Sequence, residues 1–324
     1  MMYFNKQAQR GFTLVEIMVA LGLGLFLTAG ASQIFLTTKN TNRTQENLSR
    51  MQENARFAMY FLTNDIREAD YSTSVCGSGD ILKKAYNNLD FPAASEAQYQ
   101  FNSFSGLGGT DNDGDNNSDS ITLAKMSILG TGSIVSNNAT NNPLDPNPGF
   151  KADDILLVTD CNNADIFQKT NNEAAAQIAH GSMAGHTPGN KSPHISTGYT
   201  NARVYFLSKA GGIGSIKYDV AEDGDGIPGL RQNGNQLVAN IENMQILYGE
   251  RKPGGDTYYV PADTAGLDMD EVVSVRVSLL VRSPDKNVTT QAQVYNFNGA
   301  SAAASDGRLM KVYTSTITVR NRLP

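Results

Sequence analysis

The 324-residue chain has no tryptophan, two cysteines, three histidines, and no proline before Pro92. It also has no surplus of positive charge. There are 26 lysines and arginines against 32 aspartates and glutamates, for a net charge of −6 and a pI of about 5.1. These absences exclude whole classes. A general nucleic-acid binder needs a basic face, and only a local patch such as Arg203, Lys209 and Lys217 is on offer. His180, His186 and His194 fall in one polar stretch at spacings that match no metal motif, so they read as a surface loop. No glycine-rich phosphate loop follows a strand pattern and no Gly-x-Ser-x-Gly elbow occurs, so catalysis has no positive support and the chain reads as no enzyme. Between Lys39 and Asp70 there is neither proline nor glycine, hence nothing to break a helix.

What is present at the N-terminus is a long apolar run. Over Phe12–Leu36 the only formal charge is Glu16. At 1.5 Å per residue a helix of that length spans about 37 Å, enough for a bilayer core of roughly 30 Å. A carboxylate inside such a run is costly and normally marks a function or a partner. Lys6 and Arg10 precede the run and predict a cytoplasmic leader with the bulk of the chain on the far side. Beyond the run, Leu48, Met51, Ala55, Ala58, Met59, Leu62, Ile66 and Ala69 recur at spacings of three and four, an amphipathic stripe that predicts a continuous helix to about Asp70. Arg43, Glu46, Arg50, Glu53, Asp65 and Arg67 are expected on its solvated face. Gly22, Gly24 and Gly30 offer places where another helix could approach closely.

The junction Gly11-Phe12-Thr13-Leu14-Val15-Glu16 resembles the class III signal of type IV pilins and pseudopilins. The resemblance implies cleavage by a prepilin peptidase after Gly11, N-methylation of Phe12, and a role for Glu16 in docking on the N-terminal amine of a neighbouring subunit. An ordinary signal anchor, or a secretory signal cut near Ser32, is the competing reading. Glu242–Gly249, Val273–Ser283 and the closing Arg320-Asn321-Arg322 resemble PilW-type minor pilins. Major pilins often carry a proline in the first helix; this chain does not. The stretch from Ser72 to Asn201 resembles nothing named.

The fold class that follows is α+β and pilin-like, with a long N-terminal helix, membrane-spanning in its first half, packed on an antiparallel β-sheet head with long loops. The divisions are 1–11 leader, 12–36 transmembrane half, 37–70 amphipathic half, and 71–324 a β-rich head outside the inner membrane. Strand patterns fall at Ser120–Leu129, Asp154–Thr159, Ala202–Ser208, Ser215–Tyr218, Gln236–Tyr248, Val272–Arg282 and Met310–Val319. Glu242-Asn243-Met244 reads as a short helical or bulged piece. Tyr71–Asn117, Asn137–Pro148, Gly181–Pro193 and Asn298–Asp306 read as irregular or loop. An exported head places Cys76 and Cys161 in an oxidising compartment, where a disulfide is expected, two free buried cysteines being the alternative. Asp111, Asp113, Asp115 and Asp119 occupy positions 1, 3, 5 and 9 of an acidic loop, a pattern that suits calcium. The glycine and twelfth-position residue of an EF-hand are missing, and a solvated turn is the alternative. Glu222-Asp223-Gly224-Asp225-Gly226 is a second, shorter acidic turn.

The resemblance implies a structural, non-catalytic function with no required cofactor: a minor pilin that primes type IV pilus assembly and sits in a tip-located minor pilin complex. Its partners would be other minor pilins, the major pilin, the prepilin peptidase and the inner membrane, with no nucleic acid. A J-type pseudopilin of a type II secretion system, or a pilus-borne adhesin or DNA-binding module, are the other readings. Intact mass or N-terminal sequencing of the mature protein should show a chain beginning at methylated Phe12. A start near Ser32 would contradict the pilin reading.

Overall fold

The computed structural model describes residues 12–70, 76, 81–91, 106–124, 127–134, 141–145, 149–172, 177–181, 187–192, 195–196, 199–208 and 215–322. Helix α1 covers Leu14–Glu68, 55 residues without a break. Its first half contains a window of mean hydropathy 2.0, none of it buried, long enough to cross a membrane. Its second half buries Asn47, Met51, Ala55, Ala58, Leu62, Asp65 and Ile66. Two assignments from periodicity change. Leu48 is 38% exposed, because the stripe turns past it to Asn47 and Met51. Asp65 faces the core rather than solvent and accepts a 2.6 Å hydrogen bond from the Tyr218 hydroxyl. Gln232 completes the group by donating to that hydroxyl at 2.7 Å. The buried carboxylate is tolerable because its partners replace water.

The stripe lies across two antiparallel sheets that share one core. The four-stranded sheet has the order Thr257–Val260, Ile241–Arg251, Val272–Arg282, Met310–Thr318. The five-stranded sheet has the order Asn235–Ala239, Pro228–Gln232, Ser215–Glu222, Ser120–Ala124, Leu107–Thr110. The alternation of Val275, Val277, Leu279 and Val281 puts them in this core. The stretch expected as one strand over Gln236–Tyr248 is two, broken at Asn240, whose φ of 65° is a conformation asparagine tolerates well. Glu242-Asn243-Met244 is the bulged alternative: the register shifts between Ile241 and Asn243. Ser120–Leu129 likewise divides, into Ser120–Ala124 and Ser127–Ile134, which belong to different sheets. A small hairpin, Val294–Phe297 with Ala300–Ala303, occupies part of the expected Asn298–Asp306 loop.

The third sheet has seven strands and is centred on Ile155–Thr159. That strand is buried on both faces: Ile155 and Leu157 join one apolar cluster, Leu156 and Val158 another. Its other strands include Ala164–Gln168 and Arg203–Ser208, and Asn141–Asp145 lies inside the expected Asn137–Pro148 loop. Tyr86–Asn87 pairs parallel to Ala164–Gln168, while the remaining described pairings are antiparallel. Within Tyr71–Asn117 a helical turn at Ile81–Lys84 and strands at Tyr86–Asn87 and Leu107–Thr110 replace part of the irregular reading. Cys76 and Cys161 are bonded, with Cα atoms 5.4 Å apart, tying the segment after α1 to the end of the central strand.

The chain's end closes on the helix's end. Asp70, just past α1, has φ of 59° and is 4% exposed. Arg322 donates to its carboxylate at 2.6 Å, and also to the carbonyls of Met269 and Val272. Asn321 donates to the Ala69 carbonyl at 2.9 Å, satisfying a group that the helix end leaves open. Gly106, with φ of 76°, lies so close that an added Cβ would meet Asp70 atoms within 2.8 Å. Arg322→Met should cost about 3–5 kcal/mol in urea unfolding of the detergent-solubilised protein, because the Asp70 charge stays buried without its guanidinium. A change within 0.5 kcal/mol (about the size of an ordinary surface substitution) would show the pair to be dispensable.

Candidate assembly site and acidic loop

The helix starts with a capping box. Thr13 is the N-cap; its N–H donates to Glu16 Oε2 at 2.9 Å, and the Glu16 N–H donates to Thr13 Oγ1 at 3.3 Å. The Thr13 hydroxyl also lies 3.0 Å from Glu16 Oε2. The Glu16 carboxylate is therefore satisfied by the end of its own helix, where the helix dipole also favours a negative charge. In hydrocarbon this matters: an isolated carboxylate there would be expensive, and Thr13 supplies two donors without a second chain. The signal was readable as threonine followed three residues later by glutamate before an apolar run, although Thr13 was not singled out. Phe12 is 83% exposed at the helix start, and Gly11 lies outside the described residues. Gly22, Gly24 and Gly30 have nothing within 4 Å of an added Cβ, so each leaves open helix surface.

The acidic loop lies against the edge of the four-stranded sheet. The strand Thr257–Val260 pairs only with Tyr248–Arg251, which leaves the earlier part of Ile241–Arg251 unpaired on that side. The loop fills this place. Ser118 Oγ accepts from Met244 N–H at 3.0 Å, Met244 O accepts from Asp119 N–H at 2.8 Å, and Asp119 Oδ2 accepts from Ile246 N–H at 2.6 Å. Asn243 and Gln245 donate to the carbonyls of Asn116 and Asn117, each at 2.7 Å. Asn112, Asn116 and Asn117 all have φ near 56°, which lets so short a loop turn sharply. Asp115 accepts from Glu222 N–H at 3.1 Å, and Asp113 meets Lys217 at 3.7 Å. Asp111 accepts from the Asn112 side chain. Asp113 and Asp115 thus turn to the strand Ser215–Glu222, while Asp111 and Asp119 meet at Asn112, accepting from its side chain and its N–H respectively. Among the described residues no group of three or more His, Cys, Asp or Glu is gathered in a way that could hold a metal.

Other sequence candidates also find places. In the Glu222–Gly226 turn, Asp225 accepts from Ile227 N–H at 3.0 Å. His180 is fully buried, edge-on to Phe167, in place of the expected surface loop; His186 and His194 lie outside the described residues. Of the basic patch, Arg203 is exposed, Lys217 is engaged by Asp113, and Lys209 is outside the described residues. Sequence reasoning missed a buried cluster in the seven-stranded sheet, where Asp165 accepts from Ser196 N–H at 2.8 Å and from the Tyr199 hydroxyl. Burial, then the Asp165 hydrogen bond and charge, push the Tyr199 hydroxyl far above the usual range, so it stays a donor. No sequence spacing announces this group.

Two family models match the chain. The model for the prokaryotic N-terminal methylation motif matches residues 6–32, and that for Type IV Pilus-assembly protein W (PilW) matches residues 204–321. No curated protein and no solved structure matches it. A methylation-type start on a helix that runs from an exposed apolar half into a β-rich head is the arrangement of type IV pilus-related pilins. Residues 204–321 of the chain, which span the four-stranded sheet, are similar to the PilW type of minor pilin. The N-terminal signal and the apolar half of α1 anchor it in a membrane.

Asp119 supplies a pH test. Burial raises its pKa to about 6, against the hydrogen bonds from Asn112 and Ile246, and the Asp111 charge adds to the rise. A raised folded-state pKa means that the contribution to stability is fully present below the ordinary carboxylate value and is lost as pH rises through about 6. Asp119→Asn cannot titrate. Between about pH 4 and pH 6 the wild type should lose on the order of 1 kcal/mol relative to this variant, measured by urea unfolding. A constant difference across that window would contradict the assignment.

Proposed function

We propose that this protein primes type IV pilus assembly as part of a minor pilin complex at the pilus tip. The observation that carries the reading is Glu16: a carboxylate inside an exposed apolar helix half, in a chain with both a methylation-type start and a PilW match. The prepilin peptidase cleaves after Gly11 and Phe12 is methylated, which leaves a cationic amine one helical turn from the carboxylate. The head lies on the periplasmic side before assembly. During assembly Glu16 exchanges its Thr13 donors for the amine of a subunit already in place. The exchange is local, because the capping bonds are exposed and only three residues apart in sequence. The partners are the other minor pilins and the major pilin, and the role is structural rather than catalytic.

Placement at the tip follows from bulk. The head adds three larger sheets and a two-stranded hairpin after α1, more than is easily packed on all sides along a thin filament. A subunit with no neighbour above it would not need the carboxylate, so retention of Glu16 favours a position just below the topmost subunit. Glu16→Gln keeps the shape and removes the charge. Cells carrying it should have fewer surface pili and less of this protein in sheared filaments, with normal cleavage and membrane insertion. Normal piliation and normal incorporation of the variant would refute the docking role. Even distribution of labelled protein along the shaft would refute the tip placement.

A further inference from the structure

The lower rim of the head is built against the first turns of α1 above the apolar run. Arg43 is the anchor. Its Nε meets Asp285 at 3.2 Å, and its terminal nitrogens donate to the carbonyls of Lys286 at 2.8 Å and Asn287 at 3.4 Å. Asn47 adds two bonds to Asp285, at 3.2 Å to the carboxylate and 3.1 Å from the backbone N–H. A second segment lies alongside: Val288 N–H donates to Gly307 O at 2.8 Å, and Asn287 N–H to Asp306 O at 3.0 Å. Gly307 has φ of 68°, and an added Cβ would meet the Asn287 backbone at 2.9 Å, so the two segments stack closely only with glycine there.

The height of this rim follows from the helix. Arg43 is seven residues past Leu36, about 10 Å at helical rise. A headgroup layer is roughly 5–8 Å thick, and helix tilt shortens the vertical distance further. Lys39 lies about 4–5 Å above the run, and an extended lysine at position 286 reaches back roughly 6 Å toward it.

The charges at this level are uneven. Each rim carboxylate is engaged: Asp285 by Arg43 and Asn47, Asp306 by Arg308 at 2.9 Å, Glu46 by Arg50 at 2.7 Å. Lys39 and Lys286 are exposed and make no salt bridge among the described residues, although the Lys286 charge also acts on Asp306 beside Arg308. Five cations therefore face three carboxylates here, in a chain whose net charge is −6. The acidic loop is turned elsewhere, with Asp115 on the strand Ser215–Glu222 and Asp119 on Ile241–Arg251.

We propose that this rim, residues 283–289 stacked on 306–309, is a lipid contact surface, in which Lys39 and Lys286 bind the phosphates of anionic phospholipid headgroups while the protein is anchored. The contact sets the height and tilt of the head above the bilayer and holds it ready before the helix leaves the membrane. It rests on membrane anchoring, not on the pilus role, so either can fail without the other.

The test uses the full chain in nanodiscs of phosphatidylcholine alone or with added phosphatidylglycerol. The native cysteines are bonded to each other, so an introduced cysteine is the reactive thiol. Thr290→Cys at the rim and Asp256→Cys at the opposite end of the four-stranded sheet each carry a fluorophore, quenched by a headgroup spin-labelled lipid. The Thr290→Cys probe should be quenched strongly in anionic discs and less in neutral ones, with little quenching of the Asp256→Cys probe. Lys39→Glu with Lys286→Glu should remove most of the anionic excess, as should high salt, with the melting temperature unchanged. Equal quenching at the two positions would overturn the contact. Rim quenching indifferent to lipid charge and to both substitutions would overturn the role of the two lysines.

Discussion

Everything in this protein hangs on one helix having two kinds of surface. Up to about Leu36 it is apolar apart from Glu16, and it is exposed rather than packed against the other described residues. From Asn47 onward it offers one stripe, Met51, Ala55, Ala58, Leu62, Ile66 and Ala69, to two sheets at once. Small residues in the stripe let the helix approach the strands, and Met51, Leu62 and Ile66 each contribute roughly 1.5–3 kcal/mol of burial. Apolar contact alone does not fix where a helix lies along a sheet. Polar contacts at three levels do so: Asn47 with Asp285 at the bottom, Asp65 with Tyr218 in the middle, and Asp70 with Arg322 at the top. Each would be costly to leave half-made, which makes a slipped register unfavourable.

The same economy governs the strand edges. An unpaired stretch of Ile241–Arg251 would offer open backbone groups to any other strand. The acidic loop covers it with side-chain and backbone bonds in place of a strand. Its aspartates and asparagines are therefore explained by backbone donors and by turns with positive φ, and Asp119 takes on a raised pKa as the consequence of burial. Gly109 fits this reading, because the Tyr248 hydroxyl occupies the space that a Cβ would need.

The seven-stranded sheet stands somewhat apart. It packs its own apolar clusters on both faces, is held by the Cys76–Cys161 bond, and lies largely before residue 204, where the PilW match begins. The start of the helix and the four-stranded sheet lie in the portions that carry the pilin resemblance. An added sheet with its own core and its own covalent tie can enlarge the head without disturbing the helix stripe.

Local chemistry was legible from the sequence alone. The methylation-type motif around Phe12, the unbroken helix from the apolar run to about Asp70, and the alternation of Val272–Arg282 all depend on neighbours within a few residues. Periodicity reports such neighbours directly. The pairing of Cys76 with Cys161 was expected from compartment, although spacing did not supply it. Only the tertiary structure decided which helix charge turns inward, as Asp65 does to meet Tyr218 from a strand 153 residues later. It also decided that Gln236–Tyr248 is two strands in two sheets, and that the acidic loop bonds to the open edge of Ile241–Arg251. Those outcomes depend on partners distant in the chain. A carboxylate has the same spacing in the sequence whether it meets water, a hydroxyl or a backbone N–H, and folding alone selects among them.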